Sequence, residues 1–241
     1  EKQIEKDRQF LRHRITRLKR QLIKVEIERK TQKKRRSNCL CVSLIGYTNA
    51  GKSTIMNALT NSDLLVEDRL FATLDSTTRL LEEDSRPKLL LSDTVGFISD
   101  LPHEVVAAFR STLSIVKEAD LLLQIIDASE NIDEHIQTAN DVLQDLEATS
   151  IPVIKIFNKT DMITPTRMRM LEKLYPEAIF VSAIEEKHKK SEQTVNFVHK
   201  IRKQILVFFE ERMKTVEIRL DYQHCKQLAN IYEWSRVDNI D

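Results

Sequence analysis

The residues best suited to chemistry lie in the stretch GYTNAGKST, which runs from Gly46 to Thr54. This stretch fits the pattern G-x-x-x-x-G-K-[ST] and lies between an apolar run and a predicted helix, where such a loop directs backbone N–H groups at phosphate oxygens. Lys52 would then reach the β and γ phosphates of a nucleotide, Ser53 would hold Mg²⁺, and Thr54 would contact the α phosphate. We expect the whole loop to bind the nucleotide, through Gly46, Tyr47, Thr48, Asn49, Ala50, Gly51, Lys52, Ser53 and Thr54.

Glycine is scarce in this chain, and its positions support the same interpretation. Only three of the 241 residues are Gly, whereas average usage would give roughly seventeen. Two of them are Gly46 and Gly51, where a side chain would block the turn or the approach of an anion. The third, Gly96, ends the sequence D-x-x-G, which begins forty residues after Ser53. We expect Asp93 to hold Mg²⁺ through a water molecule and the Gly96 N–H to meet the γ phosphate.

The sequence NKTD, from Asn158 to Asp161, follows another apolar run and indicates which base is bound. The Asp161 carboxylate can accept hydrogen bonds from N1–H and from the exocyclic amine of guanine, whereas adenine offers an acceptor at N1 and no amine at C2. A carboxylate left unpaired against adenine would cost on the order of a few kcal/mol, so guanine is preferred. Asn158 and Lys159 belong to the same predicted base site. Ser182 and Ala183 end the following apolar run and could add a backbone N–H to guanine O6.

These residues can meet only if the chain forms an α/β domain with a mainly parallel sheet. The apolar runs CLCVSLIG, KLLLSDTV, DLLLQIIDAS, PVIKIFNK and EAIFVSA predict strands, and runs that are apolar at successive positions are typical of strands buried on both faces. The stretch TTRLLEEDSRPKLLL predicts two antiparallel strands with a turn at Asp84 to Pro87, which would make one edge of the sheet antiparallel. Helices are predicted from Gly51, near Leu101 to Glu118, Asn131 to Ala148 and Thr164 to Leu174, and roughly from Lys189 to Lys214.

The first 36 residues predict a long basic helix. They contain no Gly or Pro, and they carry fifteen Lys and Arg against five Asp and Glu, a net charge of +10 within a chain whose total is +1. Such a helix could contact the phosphates of RNA, or it could present a solvated coiled-coil face. Its apolar residues recur mostly at alternating steps of four and three: Ile4, Leu11, Ile15, Leu18, Leu22 and Val25.

Composition limits the remaining possibilities. With 31% charged residues and no apolar run of membrane-spanning length, the sequence predicts a soluble protein with no membrane span. Three cysteines in no zinc-binding spacing suggest a reducing, cytoplasmic setting. The chain has neither a starting Met nor a signal peptide, and we expect it to be a piece of a longer protein.

Taken together, GYTNAGKST, LFATLDSTTR and LSDTVGFISDLPH resemble the HflX family of ribosome-associated GTPases. The resemblance covers nearly the whole chain. It implies that residues 1–37 form part of a helical hairpin, that 38–212 form the GTP-binding G domain, and that 213–241 begin a small C-terminal domain as a truncated βα segment. It further implies a missing N-terminal domain and GTP hydrolysis coupled to binding of the large ribosomal subunit and its RNA, in several members with ribosome dissociation under stress. No DNA partner is expected.

The resemblance also points to a switch threonine. Thr73 lies twenty residues after Ser53, in the family's FATLD sequence, and is expected to meet Mg²⁺ and the γ phosphate. Thr77 and Thr78 are the alternatives. With Lys52 and Gly96, Thr73 completes the residues that we expect to take part in catalysis.

Three further features bear on catalysis and on the match to the family, and two of them are departures from the expected pattern. Phe97 stands where the signalling GTPases have a glutamine that orients the attacking water, so slow intrinsic hydrolysis is expected, with help from backbone groups or from the ribosome. Asn49 lies where related GTPases hold a monovalent cation, which predicts faster turnover in K⁺ than in Na⁺. The stretch after Ala183 lacks the family's usual glycines, and His188 within it is expected to be solvated rather than catalytic.

Two other functions remain open on the sequence alone. The chain could be a GTP-sensing module that binds RNA or the ribosome with negligible turnover, an alternative that Phe97 keeps open. It could also be an ATPase, which the NKTD sequence disfavours. Comparing turnover with and without large ribosomal subunits separates the first alternative from a true GTPase, and competition by ATP tests the second.

Overall fold

The structure is a computed structural model of the chain. It describes residues 39–60, 77–82, 85–94, 96–97, 113, 115–183, 194–219, 227–228, 231–232 and 235–237. The predicted basic helix of residues 1–36, the predicted switch residue Thr73 and His188 lie outside the described residues. The described residues include the phosphate loop (residues 46–54), NKTD, and Asp93, Thr94 and Gly96 of the D-x-x-G sequence.

Six strands form one sheet in the order β2-β3-β1-β4-β5-β6. The pairs β1–β4, β4–β5 and β5–β6 are parallel, and β2–β3 is antiparallel. The fold class expected from the sequence, an α/β domain with a mainly parallel sheet and one antiparallel edge strand, is therefore confirmed. The strands are β1 Cys39–Gly46, β2 Thr78–Glu82, β3 Lys88–Ser92, β4 Leu121–Asp127, β5 Val153–Asn158 and β6 Ile179–Phe180.

Helices cover both faces of this sheet. The described helices are α1 Lys52–Thr60, α2 Ile132–Asp145, α3 Pro165–Leu174 and α4 Thr194–Glu210. On one face α1 and α4 pack over β1, β3 and β4, and on the other face α2 packs over Ile45 and Leu122. All seven residues of β4 are buried, as expected for a central strand covered on both sides. Among the described residues, no helix is long and apolar enough to cross a membrane.

Two expectations about the C-terminal part of the chain need correction. The stretch TVEIRL favours a strand by composition, but residues 213–219 adopt no regular secondary structure. Val216 and Ile218 are 69% and 54% exposed, and a strand forms only where a neighbouring strand supplies hydrogen bonds and a face to cover. The predicted βα segment is therefore wrong in its β part, whereas the described residues 227–228 and 231–232 are helical. Helix α4 also ends at Glu210, before the predicted end at Lys214.

The strand order explains why distant sequence motifs meet. Strands β1, β4 and β5 are parallel neighbours, so their carboxyl ends lie at the same edge of the sheet. The register places Gly46 beside Ile125 and Asp127 beside Asn158. In open α/β sheets, ligands bind outside the carboxyl ends of the strands. This edge is therefore the candidate site.

Candidate functional site

The loop between β1 and α1 is shaped by its two glycines. Gly46 has φ +143° and Gly51 has φ +93°, both in the region that L side chains rarely adopt. A Cβ atom at Gly46 would lie 2.2 Å from the carbonyl oxygen of Ile125 on the neighbouring strand. A Cβ atom at Gly51 would lie 2.2 Å from Nδ2 of Asn158. Both positions thus require glycine, because each combines close approach with positive φ.

Lys52 is held inside the loop that precedes it. Its side chain is 6% exposed, and Nζ donates to the carbonyl oxygens of Gly46 at 3.1 Å and Tyr47 at 2.8 Å. Burial lowers the pKa of Lys52 to about 8 from its usual 10.5, although the nearby charge of Asp93 opposes this shift. The loop thus encloses a positive charge that lacks the hydration it would have in water, which favours a bound anion.

Ser53 and Asp93 bring together two oxygen groups of the kind that Mg²⁺ prefers. Ser53 Oγ donates to Asp93 Oδ2 at 2.6 Å, and Asp93 is 1% exposed at the carboxyl end of β3. The segment is fixed on both sides, because the Asp93 N–H donates to the carbonyl of Thr77 and the Thr94 hydroxyl donates to the carbonyl of Leu44. Since Mg²⁺ commonly takes one or two protein oxygens together with substrate phosphates and waters, this pair fits the ion.

The residue that follows the D-x-x-G sequence pairs with the backbone of the phosphate loop. The Phe97 N–H donates to the Gly46 carbonyl at 3.0 Å, and the Thr48 N–H donates to the Phe97 carbonyl at 2.8 Å, which makes a parallel bridge between residues 47 and 97. A Cβ atom at Gly96 would lie 2.8 Å from Thr48 Cα and 2.9 Å from Lys52 Nζ. Gly96 therefore lets this segment approach the loop and the lysine closely.

The Phe97 side chain points into the core rather than toward the lysine. It is 2% exposed and packs in a cluster with Ile45, Leu122 and Leu143. In this arrangement the ring anchors the segment that follows Asp93. It carries no group that could orient a water molecule.

Asn158 joins the base motif to the phosphate loop. Its side chain is 2% exposed, Nδ2 donates to the carbonyl of Ala50 at 2.9 Å, and Oδ1 accepts from the N–H of Ala183 at 3.1 Å. One amide side chain thus connects three stretches that are far apart in sequence. It fixes the NKTD loop and the Ser182–Ala183 loop in position relative to the phosphate loop.

Lys159 is held by a carboxylate that the sequence analysis did not single out. Its Nζ lies 2.7 Å from Oδ2 of Asp127, and the two side chains are 16% and 2% exposed. Asp127 Oδ1 also accepts from the backbone N–H and the hydroxyl of Ser129. Burial alone would raise the pKa of Asp127, but the hydrogen bonds from Lys159 and Ser129 outweigh it and hold the pKa below its usual value. Asp127 is the last residue of the buried strand β4, and Asp93 directly follows β3. An Asp at the end of an apolar run was therefore the sequence signal that could have pointed to Asp127.

Asp161 is oriented by the following loop. Its Oδ1 accepts from the Ser182 hydroxyl at 2.5 Å, and Ser182 and Ala183 are 8% and 4% exposed. The left-handed backbone of Lys159, with φ 60°, turns the chain between Asn158 and Asp161. The Asp161 carboxylate and the Ala183 backbone thus lie on neighbouring loops.

The alternatives for the switch threonine lie in or beside the sheet. Thr78 belongs to β2, where its hydroxyl lies 2.9 Å from the Ser92 hydroxyl, and the Thr77 carbonyl accepts from the Asp93 N–H. Asn49, with φ 60°, lies in the loop before α1, and Thr54 lies in the first turn of α1. The structure therefore brings together every predicted site residue except Thr73, which is not described.

Comparison with known proteins agrees with this arrangement. The family model described as a 50S ribosome-binding GTPase matches residues 41–159. The chain is also similar to a solved GTP-binding protein from the archaeon Sulfolobus solfataricus in complex with GDP, with 25% identity, a TM-score of 0.52, and coverage of 82% of this chain and 60% of that one. The fold and the site define a P-loop GTPase domain.

Two curated relatives identify the family. The GTPase HflX of Gluconacetobacter diazotrophicus is 40% identical over 232 residues, covering 96% of this chain and 50% of that protein. The GTPase HflX of Alkalihalophilus pseudofirmus is 46% identical over 193 residues, covering 77% of this chain and 44% of that protein. The chain belongs to the HflX family of GTPases. It spans about half the length of the curated relatives it matches.

Proposed function

We propose that this chain binds GTP with Mg²⁺, hydrolyses it, and acts as a switch on the large ribosomal subunit. The observation that carries the proposal is the meeting of three motifs at one edge of the sheet. Lys52 and Ser53 lie beside Asp93, and Asn158 hydrogen bonds to the phosphate loop at Ala50. A site that only bound a phosphate would not need the base motif joined to that loop.

Each residue then has a defined role. Lys52 contacts the β and γ phosphates, and Thr54 contacts the α phosphate. Asp161 accepts from the base edge of guanine, with the Ala183 N–H near O6. Mg²⁺ held by Ser53, by Asp93 through water and by Thr73 would neutralise charge that develops on the transferred phosphate. The Gly96 N–H meets the γ phosphate, so that hydrolysis releases Thr73 and Gly96 together.

The ribosomal partner is supported by the family and by charge. The matching family model is described as ribosome-binding, and residues 1–36 carry a net charge of +10. Lys and Arg side chains release counterions from RNA phosphates, so this contact should weaken as salt rises. Within this proposal residues 1–37 belong to a helical hairpin, 38–212 to the G domain and 213–241 to a C-terminal domain. Ribosome dissociation or rescue under stress is the role we assign to the switch.

The proposal is tested by measuring GTP hydrolysis by the chain alone and with purified large ribosomal subunits. We expect slow turnover alone and a stimulation of at least about tenfold with subunits, since groups supplied in trans can raise GTPase rates by about 10³ to 10⁵. Lys52→Ala should lose both rates. Repeating the assay in K⁺ and in Na⁺ tests the cation predicted at Asn49. A wild-type chain that binds no GTP would refute the proposal.

A second function is favoured by Phe97. Because its ring is buried in the core, the residue after D-x-x-G supplies no group for the attacking water. A chain that binds GTP and the subunit but shows no stimulated turnover would be a GTP-sensing module instead. The same assay distinguishes the two functions.

Replacing Phe97 tests whether its role is packing. Phe97→Leu should lower the free energy of unfolding by about 1 kcal/mol, because a smaller apolar side chain leaves part of a buried site empty. Turnover per folded molecule should stay within about twofold. Thermal melting and active-site titration measure the two quantities. A large loss of turnover with unchanged stability would show that the ring has a direct part in the reaction.

The pKa of Lys52 predicts how GTP affinity depends on pH. GTP phosphates favour the charged lysine, so the pKa of Lys52 is higher in the complex than the value of about 8 found here. Above pH 8 the free protein therefore holds a neutral Lys52, and binding must take up a proton. We expect the affinity for GTP to fall by up to about tenfold per pH unit above pH 8, with no dependence from this group below pH 7.

The control for this prediction is Lys52→Arg, whose guanidinium stays charged throughout the range. Its affinity should show no such slope, whatever its absolute value. Titration calorimetry in two buffers of different ionisation heat would also detect the proton taken up. A flat affinity for the wild-type chain between pH 8 and about 9.5 would contradict the assigned state of Lys52.

Asp127→Asn should release Lys159. The substitution leaves a largely buried ammonium without its carboxylate, which should cost about 1 to 3 kcal/mol of unfolding free energy and about tenfold in GTP affinity. Because the pKa of Asp127 is lowered in the folded chain, the stability from this pair is fully present above about pH 4 and is lost as pH falls below it. Urea unfolding at about pH 7 and about pH 3.5 measures the loss of stability and its pH dependence, and nucleotide titration measures the affinity.

The matched control is Glu147→Gln, which removes the carboxylate of a second Lys–carboxylate pair. That pair joins Lys117 to Glu147 at 3.5 Å, with side chains 45% and 87% exposed. An exposed pair of this kind contributes at most about 1 kcal/mol. Equal effects of Asp127→Asn and Glu147→Gln would mean that Asp127 does not position Lys159.

A further inference from the structure

Helix α2 carries an imidazole where its pattern calls for an apolar side chain. Its buried residues are Ile132, His135, Ala139 and Leu143, at helical spacing along the stripe that faces the sheet. His135 is only 6% exposed. A polar ring buried in such a stripe loses its hydrogen bonds to water, so the residues around it should supply contacts that replace them.

His135 lies between the phosphate loop and a carboxylate. Its ring stacks on the ring of Tyr47, with centroids 4.3 Å apart and planes inclined by 12°. Its Nε2 lies 3.1 Å from Oε2 of Glu130, in the loop before α2. Because a carboxylate only accepts, Nε2 carries the hydrogen. Nδ1 is buried and makes no hydrogen bond within the described part of the chain. The ring is therefore fixed by one hydrogen bond and one stacked face.

The stacked residue is central to the phosphate loop. The Tyr47 carbonyl accepts from Lys52 Nζ at 2.8 Å, and residue 47 forms the bridge with Phe97. Tyr47 directly follows Gly46, whose φ is +143°. Strand β4 lies beside β1, so the loop and helix that follow β4 reach Tyr47. The residue that stacks on His135 is thus the residue whose carbonyl accepts from Lys52.

We propose that His135 is a positioning residue for the phosphate loop: held by Glu130, it stacks on Tyr47 and fixes the peptide whose carbonyl orients Lys52. In this proposal His135 acts through Tyr47 and not by direct contact with the nucleotide or the reacting atoms. The proposal rests on the proposed function, since the loop it positions is assigned there to GTP. Plain packing would be served by an apolar residue at position 135 and would give no reason for Glu130 to lie against Nε2.

The test is a double-mutant cycle on the whole chain, with His135→Ala, Tyr47→Ala and the double variant. The dissociation constant of a fluorescent GDP analogue and the rate of GTP turnover are measured for each. Each single variant should weaken binding at least about fivefold, and the double variant should be weaker than the worse single by less than about twofold. Independent, multiplying effects would overturn the proposal.

Conservative replacements separate positioning from stability. Tyr47→Phe keeps the ring and should recover most of the affinity lost in Tyr47→Ala. His135→Phe keeps a stacking ring without the bond to Glu130 and should bind more weakly than wild type and more tightly than His135→Ala. Leu143→Ala, on the same buried stripe, should lower the melting temperature at least as much as His135→Ala while leaving GDP affinity within about twofold. If Leu143→Ala weakens binding equally, general destabilisation explains the data and the proposal fails.

A nucleotide-free measurement keeps this result distinct from the proposed function. The Tyr47 ring should shift the carbon-bound proton resonances of His135, and Tyr47→Ala should remove that shift whereas Tyr47→Phe should retain it. If the wild-type chain binds no GTP, the proposed function fails while the stack is still seen by this shift. If GTP binds and the shift is absent from the wild-type chain, the positioning proposal alone fails.

Discussion

Replacing Asp161 by Asn is expected to lower GTP affinity by about 10² or more and to create a preference for xanthine nucleotides. A carboxylate accepts from both N1–H and the amine of guanine, and hydrogen bonds to charged groups are worth about 1.5 to 3 kcal/mol each. The amide of Asn would face the guanine amine with its own N–H group. Xanthine has a carbonyl at that position, so the amide can donate to it. Competition of GTP and XTP against a fluorescent nucleotide measures the change.

Ser182→Ala provides the control for this prediction. The Ser182 hydroxyl donates to Asp161 Oδ1 at 2.5 Å, so its loss loosens the carboxylate without removing it. GTP affinity should fall by about tenfold or less, with guanine still preferred over xanthine. If Asp161→Asn binds GTP as tightly as the wild-type chain, Asp161 does not contact the base.

Gly46→Ala is expected to have the largest effect on stability. Its Cβ would lie 2.2 Å from a backbone oxygen of β4, and φ of +143° is unfavourable for any residue with a Cβ. We expect a loss of about 3 kcal/mol or more in unfolding free energy, together with loss of nucleotide binding, because overpacking and backbone strain add. Chemical denaturation and nucleotide titration test this. Normal GTP binding by the Gly46→Ala variant would contradict the assigned loop geometry.

Gly51→Ala offers a sharper comparison, since the atom it meets belongs to a side chain. Its Cβ would lie 2.2 Å from Asn158 Nδ2. In an Asn158→Ala background that atom is gone, so the two substitutions together should cost about 1 to 2 kcal/mol less than the sum of the single losses. Gly46→Ala meets only backbone and should be additive with Asn158→Ala. Additivity in both pairs would mean that the Gly51 contact does not limit the loop.

The fold could be predicted from the sequence wherever the local pattern of apolar residues was enough to identify an element. Strand β4 is apolar at every position except Gln124 and the terminal Asp127, and this marks a central strand. The stretch TVEIRL carries an equally good strand composition, yet Val216 and Ile218 are exposed and residues 213–219 form no strand. Strand propensity describes a surface that fits a sheet. It does not supply the neighbouring strand.

In the candidate site, too, the residues of short motifs could be predicted from the sequence, whereas contacts between distant residues could not. Lys52, Asp93 and Asp161 could be found because each belongs to a short motif whose spacing is set by the turn that carries it. The pairs Asp127–Lys159 and Tyr47–His135 could not, because their members are far apart in sequence and meet only through the order of the strands. Neither pair leaves a spacing that a single sequence would show.

The bridge between residues 47 and 97 limits how the chain just after Asp93 and Thr94 can move. Two amide protons, those of Thr48 and Phe97, are both shielded from solvent exchange by the same short pairing. Since the Phe97 ring is buried, the segment cannot pivot past this point without breaking the pairing and drawing the ring from the core. Residue 97 therefore stays paired with the phosphate loop, and hydrogen exchange at these two amides reports how often this pairing opens.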